Sequence, residues 1–306
     1  MKVSTSLSYQ RSLTNIQDGQ AQVAKTREQL STGKVMVRPS DDPSKLAQIE
    51  NLDRAVAKTE SYGDLITHLK DRYQLEETVL RNGADILIRM KDLALQAAND
   101  SLSPADRDII AVEAKGLRDE LLSIANTRDV DGNTIFAGSN TEADAFVTND
   151  TGSVVYQGDT RQTQVNVSDA RQLSKNRNGL EIFYSPIRAQ DDGQNQGIGF
   201  FNALDDFVAG LQGNDVGAIN RSLSELDLMH ESVAKAVGRI GSELQSAETQ
   251  LEINQDSLLR LQTLRSGEED LDYAEAVTRF NQEMTRLEAT QATFSRVSQL
   301  SLFEYL

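Results

Sequence analysis

The sequence predicts a mainly α-helical chain with a small β-rich insert, its N- and C-terminal arms forming a long antiparallel helical hairpin or coiled-coil rod and the insert lying in the middle of the chain. Three observations predict it. Apolar residues recur at heptad spacing near both ends of the 306 residues, the repeat that keeps one helix face against a partner. Helix-unfriendly residues are scarce, with four prolines, no tryptophan and 5% aromatics, a composition of long polar helices. Between about Ile135 and Pro186 the apolar period falls from the helical to the alternating one, which marks short strands.

In the first arm, Tyr9, Ile16, Val23 and Leu30 repeat every seven residues and Gly33 supplies a stop. Arg38-Pro39-Ser40-Asp41-Asp42-Pro43 cannot continue a helix. Asp42 is placed as an N-cap with Pro43 at the first helical position. The next helix is expected to run to about Asn99, burying Leu52, Val56, Tyr62, Ile66, Leu69, Tyr73, Leu80, Leu87, Met90 and Ala97. At the helical rise it would span on the order of 85 Å. Ser103-Pro104-Ala105-Asp106 opens a third helix with Ile110, Leu117, Leu121 and Ile124 as its stripe, ending before Asp131-Gly132-Asn133.

In the middle, residues 153–157 and 163–167 read as a hairpin turning at Gly158-Asp159, with Leu180–Tyr184 as a further strand and Gln190–Gly197 as a polar loop. The insert is expected to face solvent and to be dispensable for folding of the helices. The second arm carries Leu226, His230, Val233, Val237, Ile240, Leu244, Ala247, Leu251, Asn254, Leu258 and Leu261 in four–three alternation. After an interruption at Arg265–Asp270 the pattern resumes through Tyr273, Val277, Phe280, Met284, Leu287, Gln291 and Phe294, then Val297, Leu300 and Phe303. Apolar residues continue to Leu306, which predicts something to bury them against. The expected division is residues 1–42 with 268–306 as a terminal coiled-coil assembly domain, 43–134 with 200–267 as a helical rod, and 135–199 as a β-rich outer insert.

Chemistry finds little purchase. A net charge of −16 opposes phosphate-backbone binding and adhesion to anionic lipid. The absence of cysteine removes thiolate nucleophiles and thiolate metal sites, and His68 and His230 are the only histidines. Ser31-Thr32-Gly33-Lys34 matches a serine–lysine spacing but lacks the companion elements of acyl-serine enzymes, so it reads as a helix end. Asp129-Val130-Asp131-Gly132-Asn133 resembles part of a calcium loop, yet Thr127 and Gly138 occupy the outer ligand positions, which favours a turn. Neither histidine has metal-ligating company on its own face. The reading is therefore non-enzymatic, with no catalytic residue, cofactor or metal. No run approaches the ~20 apolar residues of a membrane span, and the N-terminus has no cleavable-signal core.

Leu30-Ser31-Thr32-Gly33-Lys34 with Arg38-Pro39-Ser40-Asp41-Asp42-Pro43, and the segment Gln291–Leu306, resemble the terminal signatures of the bacterial flagellin superfamily. Asp131–Ser139 and Tyr156–Thr160 are similar to its hook-associated branch, whose members form the hook–filament junction. The resemblance covers residues 1–167 and 225–306; residues 168–224 carry no such motif. It implies that the terminal segments form a coiled coil at the inner wall of the flagellar tube and are poorly ordered before assembly. On that basis the assembly contacts are expected at Tyr9, Ile16, Val23, Leu30, Val277, Phe280, Met284, Leu287, Phe294, Val297, Leu300 and Phe303. The implied partners are copies of the chain itself, a neighbouring hook-associated protein on the hook side, flagellin on the filament side and a cytoplasmic export chaperone. The implied location is extracellular, on the flagellum, reached by type III export without a cleaved signal. The alternatives are a short flagellin forming the filament itself and a soluble coiled-coil scaffold.

Overall fold

The computed structural model describes residues 2–189 and 195–303. The elements in chain order are α1 (Lys2–Thr32), α2 (Pro43–Ala97), α3 (Pro104–Ala125), β1 (Phe146–Thr148), β2 (Val154–Tyr156), β3 (Gln164–Asn166), β4 (Gln172–Ser174), α4 (Gly179–Ile182), β5 (Ile187–Ala189), β6 (Asn195–Gly197), α5 (Phe200–Gln212), α6 (Val216–Glu269) and α7 (Tyr273–Phe303). The chain is mainly helical with short antiparallel strands in its middle. It divides into two compact units, residues 1–60 with 256–306 and residues 61–255.

The helix starts follow from capping chemistry. Asp42 accepts from the amides of Ser44 and Lys45, both at 3.0 Å, which satisfies donors that α2 leaves unpaired. Ser103 and Asp106 form a reciprocal capping box on α3. Arg107, 3% exposed, closes the turn between α2 and α3 by donating to the carbonyls of Ala97 (2.9 Å), Asn99 (2.8 Å) and Leu102 (3.1 Å), and to the Asn214 side chain.

Within residues 61–255, α2 and α6 run antiparallel: Asn254 packs on Gly63, and Lys91 pairs with Asp227. The buried seam of α6 is Leu226, Met229, Val233, Ala236, Ile240, Ala247, Gln250 and Asn254. Half of the expected seam is there, because Leu226, Val233, Ile240, Ala247 and Asn254 are buried. His230, Val237, Leu244 and Leu251 are corrected to half-buried flanks. The deep positions beside them carry Met229, Ala236 and Gln250; the small size of Ala236 and the polarity of Gln250 concealed those two in the pattern. Glu76 is completely buried between these helices, accepting from Arg72 Nε at 3.0 Å and Arg177 Nε at 2.9 Å. Arg177 also pairs with Glu243 and lies 4.9 Å over the Tyr73 ring. Burial pushes the Glu76 carboxyl up, and the two guanidinium groups pull it back.

The strands form three two-stranded antiparallel hairpins among the described residues, β1–β2, β3–β4 and β5–β6. The expected pairing of 153–157 with 163–167 is corrected. Val154–Tyr156 pairs with Phe146–Thr148 instead, because Asn149-Asp150-Thr151-Gly152 is the turn. There the Asn149 side chain accepts from the amides of Thr151 (3.1 Å) and Ser153 (2.9 Å). Gln164–Asn166 pairs with Gln172–Ser174. Gly158-Asp159 is a clip rather than a hairpin turn. Asp159 accepts from the Ser139 amide at 2.7 Å and from its hydroxyl, while its own amide donates to Ala137 at 3.0 Å. Leu180–Tyr184 is also corrected: Asn178 caps the Leu180 amide at 2.9 Å and starts α4. Of the polar loop, residues 190–194 lie outside the described residues, and 195–197 is β6.

Ile135, Phe136, Phe146, Val154, Val167, Leu173 and Phe183 share one continuous apolar core with α2, α3, α5 and α6. Phe183 meets Phe136 edge-on at 5.7 Å and Phe146 at 5.4 Å; Phe146 in turn meets Phe201 at 5.2 Å. Part of the insert is thus buried in the core it shares with the helices. Replacing residues 140–185 with a short linker is expected to abolish the helical circular-dichroism signal of the unit cooperatively; retention of that signal per residue would show a separate core. A second outcome concerns pH. The Ser139 hydroxyl and amide hold the Asp159 carboxyl at about 2, below its ordinary 3.8. A depressed native pKa adds stability above the ordinary value and loses it as pH falls toward the native one. The melting-temperature gap between wild type and Asp159→Asn should thus be full above pH ~4 and close toward pH ~2.

Candidate assembly interface

Unit 1 is built on the pairing of α1 with α7. Gly33, at φ +70°, ends α1 in the left-handed conformation that favours glycine. Asp272 opens α7, accepting from the amides of Ala274 (2.9 Å) and Glu275 (3.1 Å). The two ends are stitched by backbone hydrogen bonds, Val35 N–H to Glu269 C=O and Leu271 N–H to Gly33 C=O, both 2.9 Å. Lys34 pairs with Glu269, whose carboxyl it holds below the ordinary range. Lys45–Glu268 (3.5 Å) and Arg265–Asp53 (2.9 Å) tie α2 to the end of α6 around this clasp. The expected interruption at Arg265–Asp270 begins only at Asp270, since α6 runs through Glu269.

Beyond the clasp the helices run antiparallel. Thr26 donates to Glu283 at 2.7 Å. A Cβ on Gly19 would lie 3.2 Å from Leu287 Cδ1, so glycine there lets the backbone of α1 approach α7 closely. The Tyr9 and Phe294 rings stand 5.0 Å apart. The structure thus brings Tyr9 and Phe294 together and sets Leu287 on Gly19.

Burial stops there. Tyr9 is 53% exposed and Val277 46%. Ile16, Val23, Leu30, Phe280, Met284, Leu287 and Phe294 are half-buried. The side chains of Val297, Leu300 and Phe303 lie outside the described residues. Among the described residues, those closed off in this unit are Thr26, Gln29, Ile49, Val56, Leu271 and Ala276. The expected stripe of α2 includes Val56; Thr26 and Gln29 escape the heptad pattern because they are polar, and Ile49, Leu271 and Ala276 because they lie at or near helix ends. The cues for the clasp, Gly33 as a stop and the Asp272 cap, were present in the sequence.

Among the described residues no His, Cys, Asp and Glu group is placed to hold a metal ion, and no helix is long and apolar enough to cross a membrane. What the site offers is an incompletely covered apolar face on each of two paired helices.

Comparison with known proteins gives this face a context. Residues 3–141 match the bacterial flagellin N-terminal helical region. Flagellar hook-associated protein 3 of Escherichia coli is 30% identical over 317 aligned residues, which cover 99% of each chain. The chain belongs to the flagellar hook-associated protein 3 family. Flagellin B of Vibrio anguillarum is 34% identical, but over 45% of this chain and 37% of its own. Among solved structures, a flagellar hook-associated protein from Vibrio parahaemolyticus superposes with a TM-score of 0.66 at 25% identity, covering 75% of this chain and all of that one.

Leu287→Asp tests the interface. Half-buried in the isolated chain, Leu287 gains its full ~1.5–3 kcal/mol of burial only when a further helix covers it. The variant is expected to keep the wild-type unfolding midpoint and to fail to incorporate, leaving cells that shed unpolymerised flagellin. Normal swimming, or a large drop in melting temperature, would place the role of Leu287 elsewhere.

Proposed function

We propose that this chain is a structural subunit of the bacterial flagellum, forming the layer between hook and filament onto which flagellin polymerises. The observation that carries the reading is the end-to-end match to a hook-associated protein 3, set against a flagellin match confined to less than half of either chain. The work is mechanical and needs no catalysis or cofactor. Copies of the chain contact one another in a ring or helical layer, with a hook-associated neighbour on one side and flagellin on the other.

The physical support lies in the uneven burial. Residues 61–255 enclose a continuous core, whereas α1 and α7 hold apolar faces half open. Tyr9, Ile16, Val23, Leu30, Val277, Phe280, Met284, Leu287 and Phe294 are the residues we assign to subunit contacts, continued by Val297, Leu300 and Phe303. A soluble scaffold has no need of such faces at both ends of its chain. Delivery would follow the flagellar type III route, with a cytoplasmic chaperone covering these faces and no cleaved signal.

Immunogold labelling of intact cells decides between junction and filament. A narrow band at the distal end of the hook is the expected result. Label along the filament would make the chain a flagellin, and label absent from the organelle would refute both.

A further inference from the structure

The outer face of α3 is unusual for a helix so well anchored. Its inner residues Arg107, Ile110, Ala111, Ala114, Leu121 and Ala125 are buried. On the opposite side Ile109 is 70% exposed and Val112 75% exposed, three residues apart and so neighbours on one face. Gly116 continues that stripe, with nothing near the position of a Cβ. Around it stand the exposed carboxylates Asp106, Asp108, Glu113, Asp119 and Glu120, with Lys115 the one exposed cation of the helix. Of these carboxylates Arg89 reaches Glu113 and Arg118 reaches Asp119, Arg118 being held as well by Asp205 at 2.8 Å.

A surface of opposite character occurs in the same unit. The β3–β4 hairpin presents Arg161, Arg171 and Lys175, exposed among Gln162, Gln164 and Gln172. Its nearby carboxylates are engaged: Asp159 by Ser139 and Arg161, Asp169 by the Tyr62 hydroxyl at 3.0 Å, and Glu181, 3.5 Å from Gln162, by Arg239 at 3.0 Å. Arg161 being paired with Asp159, the outward charge rests on Arg171 and Lys175. Among the described residues each strand has only the other as a sheet neighbour, so the hairpin offers backbone edges as well as charge.

We infer that the β3–β4 hairpin of one copy docks on the outer face of α3 of the next, the cations meeting the acidic rim around Ile109 and Val112. The occupant is a second copy because of charge. A chain of net charge −16 repels its copies unless the contact joins unlike patches, and the α3 face and the hairpin are such a pair. They are also different surfaces of one molecule, which makes the contact heterologous, the type that builds rings and helical layers. An apolar centre inside a polar rim is the anatomy of a specific interface. This inference rests on the self-assembling role proposed above and locates one of its contacts outside the terminal helices.

The absence of cysteine makes the test clean. Cells would co-express two differently tagged full-length chains, Val112→Cys and Gln172→Cys, and isolated flagella would be treated with a short bis-maleimide. Expected is a cross-linked dimer carrying both tags, lost when either variant is expressed alone. Adding Arg171→Glu and Lys175→Glu to the Gln172→Cys chain should suppress the dimer. Adding Asp108→Lys and Glu120→Lys to the Val112→Cys chain should restore it. Both variant chains must melt like wild type, and tag labelling must place them on the organelle. Dimers of Val112→Cys with itself would mean that the face meets its own copy and overturn the pairing. Labelled flagella without mixed dimers would overturn this inference and leave the junction role intact, whereas loss of label from flagella that are otherwise whole would remove both.

Discussion

Two helices lying side by side can close only the narrow seam between them, and an amphipathic face of ordinary width spills beyond it. That limit governs unit 1. Tyr9 and Phe294 touch, Leu287 rests on Gly19, and Thr26 holds Glu283, yet the seam residues flanking these contacts stay half open. What fixes α1 against α7 is therefore not burial along their length but the clasp at one end. Two backbone hydrogen bonds join Gly33 and Val35 to Leu271 and Glu269. Such bonds set register without consuming apolar surface, so the pair is held in place while its faces stay available.

Residues 61–255 solve the opposite problem. Their interior is rich in charge for a core: Glu76 is sealed between Arg72 and Arg177, and Arg177 reaches on to Glu243 of α6. Buried ion pairs add little net stability over apolar packing, but breaking one by removing a partner typically costs ~3–5 kcal/mol. This network joins α2, the segment before α4, and α6 at one point. A slipped register of α6 along α2 would leave Glu76 or Arg177 buried and unpaired, so the network selects one alignment where long heptad helices permit several.

Local capping chemistry made much of this legible in the sequence. The Asp42-Pro43 and Ser103-Pro104 starts and the Gly33 stop each rest on a few neighbouring residues, and each stands where the pattern put it. The heptads of the terminal helices identified which faces are apolar, but periodicity carries no information on how much of a face is covered. The insert was read poorly for a different reason. Its strands are three residues long, too short for alternation to specify a partner, and the Asn149 turn that decides the pairing was outweighed by the more familiar Gly-Asp pair. The seam of α6 was displaced by one residue at alternate positions because Ala236 and Gln250, which are buried, look less apolar than Val237 and Leu251, which flank them.

The placement of aromatic residues joins these points to function. The chain has nine phenylalanines, and Phe136, Phe146, Phe183, Phe200 and Phe201 form a single set of ring contacts where the insert meets α5. Large rings contribute most per residue to a core, so concentrating them there lets a short, strand-poor segment anchor itself without long sheets. Residues 61–255 thus depend on no neighbour for their interior. The terminal helices hold Phe280, Phe294 and Tyr9 in the half-open or exposed state that a core would not tolerate. Apolar area left in water favours association by about 25 cal/mol per Å² once a second surface covers it. A subunit with a closed interior in one unit and open apolar faces in the other can remain folded as a single copy and still gain stability by joining a lattice.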